Sequence, residues 1–221
     1  MKTRRLPGAR DVRATLDRAE TDNSDGLDST DSERVVVACP PHPQMGGDRR
    51  DGRVRAVSDA LTDRGVDCLR FDYGPWDGGR GEQTDVQNAL AWAREEYDRV
   101  GLFGYSFGGS VALLAIASLE DGPDCVSVLA PGTGAGRTET STGPEREHAD
   151  ARHDVVDALE ALACPVHVVY GTRDDVVDWE PLVEHARESG HTVESVEADH
   201  FFVGQQAKVA EWVASFLVEK L

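Results

Sequence analysis

A glycine-rich turn between two apolar segments carries a serine whose setting suits nucleophilic chemistry. Residues 104–109 read Gly-Tyr-Ser-Phe-Gly-Gly, directly after the apolar run 100–103 and directly before the helix-forming segment 110–119. In a Gly-x-Ser-x-Gly turn the flanking glycines let strand and helix approach closely, which leaves Ser106 exposed above the sheet. Because the turn opens a helix, the Phe107 amide is free to donate to an oxyanion that develops beside the serine. We predict Ser106 as a nucleophile and Phe107 as an oxyanion donor; an ordinary glycine-rich turn is the alternative.

A serine hydroxyl needs a base, and a base with a matching acid follows later in the chain. His200, one of seven histidines, lies in a loop directly after a C-terminal strand, and Asp174 and Asp175 follow the strand before it. The order Ser, Asp, His is the order expected after a Gly-x-Ser-x-Gly turn. We predict His200 as the general base and prefer Asp174 to Asp175 as the carboxylate that orients it. Asp178 and Asp199 remain as alternatives.

The loop after the first buried strand is expected to supply the second oxyanion donor. Residues 40–47 read Pro-Pro-His-Pro-Gln-Met-Gly-Gly, and proline has no amide hydrogen. We therefore predict the His42 amide as the donor, with Gln44 as the fallback. No metal site is predicted, since no His, Cys or Asp cluster has ligand spacing. Aromatic side chains suggest a pocket for a small or flat apolar acyl group, lined by Trp76, Tyr105, Phe107, Trp179 and Phe201.

The elements that must position these groups alternate between strands and helices, which predicts a mostly parallel sheet covered on both faces. Strands are predicted at 35–39, 66–71, 100–103, 125–130, 165–170 and 192–196. Helices are predicted at 51–64, 84–97, 110–119, 153–162, 180–189 and 205–217. Residues 131–150 are polar and too few for a folded cap domain.

The predicted organisation is one α/β domain over residues 35–221, without a cap. Residues 1–34 are predicted to lie at its periphery, as a strand around residues 12–16 followed by an exposed, mobile acidic loop. No apolar run is long enough to cross a membrane, and residues 1–5 lack the apolar stretch of a signal peptide. The sequence therefore predicts a cytoplasmic protein.

The composition is strongly acidic, with 41 Asp and Glu against 23 Lys and Arg and a net charge of −18. Such a surface argues against nucleic acid and anionic membranes as partners. Salt screens the repulsion between like charges on such a surface, so the acidic composition favours a halophilic origin. The alternative is an acidic protein of an ordinary cytosol. Four cysteines without a Cys-x-x-Cys pair predict buried reduced thiols, at Cys39, Cys68, Cys125 and Cys164.

Together the motifs resemble the α/β-hydrolase family over residues 35–221. Residues 104–109 resemble its nucleophile elbow, the Gly-Thr-Arg-Asp run 171–174 its acid turn, and the Ala-Asp-His-Phe-Phe run 198–202 its histidine loop. The loop 40–47 is similar to the His-Pro-His-Pro-x-x-Gly-Gly loop of the cap-less dienelactone-hydrolase-like and small-esterase group. One difference is that Pro40 stands where the first histidine of that loop usually does.

The resemblance implies an α/β-hydrolase fold and a serine hydrolase, carboxylesterase-like, that cleaves a small acyl substrate through an acyl-enzyme without a cofactor. Dienelactone hydrolases use a cysteine nucleophile, so Ser106 favours a carboxylic ester or thioester as the substrate. The alternatives are a dienelactone or other acyl hydrolase, and a catalytically silent binding protein of this fold. Asp72 stands where related proteins often carry Asn, and we expect it to structure the loop that carries Trp76 or to be solvated. The sequence points to no particular oligomeric state.

Overall fold

Strands and helices alternate along the chain in a computed structural model that describes residues 2–19, 32–134 and 155–221. The strands of these residues are β1 (Lys2–Arg5), β2 (Arg13–Asp17), β3 (Arg34–Cys39), β4 (Asp67–Asp72), β5 (Arg99–Tyr105), β6 (Cys125–Leu129), β7 (Val166–Gly171) and β8 (Thr192–Val196). The helices are α1 (Gly52–Thr62), α2 (Arg80–Glu96), α3 (Phe107–Ala117), α4 (Val155–Glu160), α5 (Glu180–Glu188) and α6 (Gln206–Lys220). Every strand and helix predicted beyond residue 34 is present, and most boundaries move by three residues or fewer.

All described strands form one sheet in the order β1-β2-β4-β3-β5-β6-β7-β8. Strands β3 to β8 pair in parallel, whereas β1 pairs antiparallel with β2 and β2 antiparallel with β4. Parallel neighbours need crossover connections, and here helices provide them. The predicted mostly parallel sheet with helices on both faces is confirmed.

Helices cover the two faces of the sheet unequally. The helices α1 and α6 pack on one face, and α2, α3, α4 and α5 pack on the other. Along β5, Leu102 belongs to the core under α2–α5, whereas Phe103 and Tyr105 belong to the core under α1 and α6. This alternation follows from the two-residue repeat of a strand, and it fixes which face each side chain of β5 reaches.

The N-terminal hairpin of β1 and β2 is part of the domain, whereas the sequence analysis assigned residues 1–34 to its periphery. Four of its apolar side chains are buried in the core that underlies α2–α5: Leu6, Val12, Ala14 and Leu16. The register pairs Ala14 with Phe71 and Leu16 with Leu69, so β2 covers what would otherwise be an exposed edge of β4. The predicted acidic loop falls largely on residues 20–31, which lie outside the described residues.

The four cysteines all lie in described parts of the chain and are free thiols there; Cys39, Cys68 and Cys125 are buried as predicted, whereas Cys164 is only partly buried. Burial raises the pKa of both Cys68 and Cys125 to about 12, so these thiols are unreactive. Within the described ranges, no helix combines the length and the apolar character needed to cross a membrane. The predicted polar loop 131–150 lies mostly among residues 135–154, which the structure does not describe.

Candidate active site

The turn between β5 and α3 holds Ser106 in a backbone conformation that only a tightly packed setting maintains. Ser106 has φ 55° and ψ −125°, and its amide donates to the Leu129 carbonyl at 2.8 Å. A Cβ on Gly104 would lie 2.4 Å from the Gly108 oxygen, and one on Gly108 would lie 2.4 Å from the Pro40 oxygen. Both glycines of the motif are therefore sterically required, and the serine side chain remains partly exposed.

Ser106, His200 and Asp174 form a continuous hydrogen-bonded chain. Ser106 Oγ lies 2.9 Å from His200 Nε2, and His200 Nδ1 lies 2.7 Å from Asp174 Oδ2. The other carboxylate oxygen, Oδ1, accepts the amides of Val176 (3.0 Å) and Val177 (3.3 Å). The ionised Asp174 can only accept, so the imidazole proton lies on Nδ1 and leaves Nε2 free to take the serine proton.

The structure brings Asp174 to His200 and leaves the other candidate carboxylates elsewhere. The Asp174 amide donates to the Gly171 carbonyl at 3.1 Å, a tight turn that aims the side chain across the strand ends. Asp175 and Asp178 are exposed, and Asp199 Oδ1 accepts the amide of Phe201 instead. The preference for Asp174 over Asp175 agrees with this geometry.

Two candidate backbone amides have no acceptor among the described residues: that of Phe107, which directly follows Ser106, and that of His42, whose ring packs on the Phe107 ring. The Gln44 amide, the fallback donor, is occupied because it donates to His42 Nδ1 at 3.2 Å. The His42 amide is therefore the better candidate for the second oxyanion donor. Burial lowers the pKa of His42, and the Gln44 contact places the proton of the neutral ring on Nε2.

An aromatic wall lies beside these donors, formed by His42, Trp76, Phe107 and Tyr73. The His42 ring is 4.5 Å from the Trp76 ring and 4.7 Å from the Phe107 ring, centroid to centroid. Tyr73, which the sequence analysis did not single out, meets Phe107 edge to face at 5.8 Å. The predicted pocket residues Trp76 and Phe107 thus pack together. Phe201 is 49% exposed, and its ring meets the His200 ring edge to face at 5.4 Å.

Tyr105 does not line this pocket, which corrects the prediction made from sequence. Its side chain is buried under α1 and α6, and its hydroxyl donates to the His200 carbonyl at 3.1 Å. The Arg53 guanidinium lies over the ring at 4.7 Å. Tyr105 therefore holds the loop of the histidine from the opposite face of the sheet.

Trp179, which was also predicted to line the pocket, is half-buried and contacts the turn that carries Asp174. Its indole Nε1–H donates to the Asp174 carbonyl at 3.1 Å, and its ring stacks on Tyr170 at 4.5 Å. These contacts brace the turn that carries the carboxylate. They depend on how α5 approaches β7, which local sequence does not show.

Asp72 binds the loop after β3, whereas it was expected either to structure the loop that carries Trp76 or to be solvated. Its Oδ1 accepts the Arg49 amide at 2.9 Å, and its Oδ2 pairs with the Arg49 guanidinium. Arg49 Nε also donates to Thr15 Oγ1 at 3.1 Å. Asp72 therefore anchors the loop of the His42 amide to β4 and, through Arg49, to β2.

The sheet order, the strained serine turn and the Ser–Asp–His order define a class of fold, which comparison with known proteins supports. No protein-family model matches the chain, and no curated protein matches it significantly. The lidless α/β serine hydrolase XC6422 of Xanthomonas campestris superposes with a TM-score of 0.73 at 23% identity, over 99% of this chain and 94% of that one.

Two esterase structures give the same result. Est1E of Butyrivibrio proteoclasticus superposes with a TM-score of 0.77 at 19% identity, over 99% of this chain and 98% of that one. The esterase domain of a Rhodothermus marinus protein gives 0.71 at 20% identity, with coverages of 99% and 98%. Est1E has also been solved with bound ferulic acid. The chain therefore has the α/β-hydrolase fold that the sequence predicted.

Proposed function

We propose that this chain is a serine hydrolase that cleaves a carboxylic ester or thioester of a small substrate through an acyl-enzyme. The observation that carries the proposal is the hydrogen-bonded chain from Ser106 through His200 to Asp174, with distances of 2.9 and 2.7 Å. The esterases among the similar structures support it.

In the first half-reaction, Ser106 Oγ attacks the acyl carbonyl carbon while its proton moves to His200 Nε2. The negative charge on the carbonyl oxygen is stabilised by the amides of Phe107 and His42. His200 then protonates the leaving oxygen or sulfur, and the acyl group stays on the serine. In the second half-reaction, His200 takes a proton from water, which attacks the acyl carbonyl carbon. His200 then returns this proton to Ser106 Oγ as the bond between Oγ and the acyl group breaks and the acid leaves.

The acyl group that suits this site is short or flat, because the wall beside the oxyanion donors is aromatic. The rings of His42, Trp76 and Phe107 pack together in tilted orientations, with centroids 4.5–5.6 Å apart. Aromatic rings favour offset or tilted contacts with a further planar group. The ferulic acid bound by Est1E is a planar acid of this kind and supports the assignment.

Covalent labelling with a fluorophosphonate tests the proposal, because the probe reacts only with an activated serine. We expect the wild-type protein in molar KCl to gain the mass of one probe and Ser106→Ala to gain none. Ser118→Ala is the matched control, since Ser118 is an exposed serine at the other end of α3. It should label like the wild type.

A folded wild-type protein that remains unlabelled would overturn the proposal, and the catalytically silent binding protein would then be the better hypothesis. If labelling succeeds, a panel of acetyl, butyryl, octanoyl and cinnamoyl esters and thioesters measures the preference. A clear preference for the long octanoyl chain would contradict the short or flat acyl group.

A further inference from the structure

The loop that carries Trp76 is bound from α2 by buried carboxylates. We call residues 73–79, which follow β4, the Trp76 loop. Glu82 is fully buried, and its two oxygens accept the amides of Asp77 (3.0 Å) and Gly79 (2.8 Å). A buried carboxylate that binds two backbone amides in one loop restricts the conformation of that loop strongly.

A second buried carboxylate lies beside the first, and one cation serves both. Asp85 is also fully buried and accepts the Gly74 amide at 2.9 Å. Arg10 Nε donates to Asp85 Oδ1 at 2.8 Å, and Arg10 Nη2 lies 3.7 Å from Glu82 Oε1 and donates to the Pro75 carbonyl. Two buried carboxylates repel each other unless a cation lies between them. Arg10, which the N-terminal hairpin supplies, reduces this repulsion.

The chain leaves space for this arginine at two glycines. A Cβ on Gly74 would lie 2.3 Å from the Arg10 carbonyl oxygen, and a Cβ on Gly81 would lie 2.3 Å from the guanidinium carbon. Gly74 has no positive φ, and Gly81 lies within α2, so neither is required by backbone conformation. The close approach of Arg10 thus explains why both positions carry glycine.

The Trp76 loop in turn forms part of the proposed acyl site. The Trp76 ring packs on the His42 ring at 4.5 Å and on the Phe107 ring at 5.6 Å. These are the two residues whose amides are proposed as the oxyanion donors. A displacement of the Trp76 loop would therefore change the wall against which an acyl group rests.

We propose that Arg10 is a positioning residue for the acyl site: it holds the Trp76 loop through Glu82 and Asp85 and thereby sets which acyl groups are accepted. This inference rests on the proposed hydrolase function. Arg10 acts through the loop, since its own contacts are with the two carboxylates and the Pro75 carbonyl.

Hydrogen exchange tests the first half of the inference without any need for activity. Arg10→Lys keeps the charge that the buried acids require, so the fold is retained. A single ammonium group cannot contact both carboxylates and the Pro75 carbonyl together. We expect the amides of residues 74, 77 and 79 to exchange about tenfold faster or more in this variant.

Arg5→Lys is the matched control, because Arg5 lies in the same hairpin but pairs on the surface with Asp11. It should leave the exchange of the Trp76 loop unchanged. Gly81→Ala provides a second route, since its methyl group displaces the guanidinium while alanine favours the helix. Unchanged exchange in both Arg10→Lys and Gly81→Ala would overturn the inference.

Acyl selectivity tests the second half. Arg10→Lys should change the kcat/KM ratio of cinnamoyl to acetyl esters by about tenfold, mostly through KM, while Arg5→Lys keeps the wild-type ratio. In a Trp76→Ala background, Arg10→Lys should have no further effect on that ratio. A ratio that is unchanged in Arg10→Lys, or additive effects of the two substitutions, would contradict the selectivity role. If the wild type cleaves no ester, the proposed function fails, and hydrogen exchange still decides whether Arg10 holds the loop.

Discussion

At the scale of single residues, both oxygens of the buried Asp174 carboxylate have hydrogen-bond donors around them. Oδ1 accepts the amides of Val176 and Val177, and Oδ2 accepts from His200 Nδ1. The carboxylate atoms have no exposure to solvent, so its charge depends on these donors. Each oxygen therefore has a fixed role, one towards the backbone and one towards the histidine.

This division of roles predicts the result of Asp174→Asn. The Val176 and Val177 amides will keep an oxygen opposite them, so the new NH₂ group will face His200 Nδ1. The imidazole then carries its proton on Nε2, where it cannot take the proton of Ser106. We expect kcat to fall about 10⁴-fold, as for a triad with the wrong tautomer.

Asp175→Asn is the control for this prediction, since it makes the same chemical change at the next, exposed position. Its kcat should stay within about twofold of the wild-type value, as for an ordinary surface substitution. Steady-state hydrolysis of a short acyl ester measures both, after circular dichroism has shown that the variants are folded. A greater loss of activity in Asp175→Asn would refute the assignment.

The hydrogen-bonded set of Ser106, Asp174 and His200 could be predicted from sequence because each lies within four residues after a strand, and parallel strands end at one edge of the sheet. The prediction that Tyr105 lines the pocket was wrong, although the two-residue repeat of β5 indicated which face of the sheet its side chain would share with Phe103. Phe103 and Tyr105 are two residues apart on β5, so their side chains must point to the same face of the sheet, and both are buried under α1 and α6. The wall residue Tyr73 gave no such signal, because its position depends on the path of a loop.

At the scale of elements, the neighbouring strands β6, β7 and β8 carry a second hydrogen-bonded histidine. It has no part in the proposed chemistry of Ser106. The register pairs Ser127 of β6 with His167 of β7. Ser127 Oγ lies 3.0 Å from His167 Nδ1, and His167 Nε2 lies 3.2 Å from Glu194 Oε2 on β8. The His167 ring packs on Phe216 of α6 at 4.8 Å. Burial lowers the pKa of His167, although Glu194 opposes the shift.

The lowered pKa of His167 predicts an acid-sensitive fold. As pH falls below the ordinary histidine value of 6.5, the unfolded chain binds a proton that the folded chain refuses. The free energy of unfolding should therefore decrease with falling pH, by up to about 1.4 kcal/mol per pH unit for this single proton.

Urea unfolding between pH 7.5 and 5 measures this slope in the wild type and in His167→Gln. The glutamine can keep one hydrogen bond but cannot titrate, so the slope should become shallower by as much as one proton. An equal slope in the two proteins would show that His167 titrates alike in the folded and unfolded states.

Helix α2 carries two buried acids that the sequence analysis did not notice, although their spacing in the sequence indicated them. Val86 and Ala89 mark its buried face, and Glu82 and Asp85 fall on that same face at helical spacing. Two acids on a buried helical face require a cation, and this requirement could have been read from the sequence. The identity of the cation could not, because Arg10 lies 75 positions from Asp85 in a hairpin whose pairing is a long-range property.

At the scale of the whole molecule, the net charge of −18 is the dominant electrostatic feature. Like charges at the surface repel one another in the folded state, and the repulsion is screened within about 3 Å at 1 M salt against about 10 Å at 0.1 M. Buried pairs such as Arg10 with Asp85 are screened much less. Salt should therefore stabilise this fold by relieving repulsion while leaving its internal ion pairs intact.

We expect the midpoint of thermal unfolding at pH 7 to rise by about 5 °C or more between 0.05 M and 2 M KCl. The same series at pH 5.5, closer to the isoelectric point of about 4.7, is the control within one chain. The rise should be smaller there, because the net charge is smaller. A midpoint that falls with KCl, or an equal rise at both pH values, would show that repulsion does not limit stability.

The cluster around Arg10 also constrains how this protein can evolve. Loss of Arg10 alone would leave two buried carboxylates without their cation. A side chain gained at position 74 or 81 would collide with Arg10. A lineage that loses the positive charge at position 10 is therefore expected to lose Glu82 and Asp85 as well, and without the arginine its contacts no longer favour glycine at positions 74 and 81. Positions 10, 74, 81, 82 and 85 should accordingly change together among descendants of one ancestor, as a single unit of inheritance assembled from two distant parts of the chain.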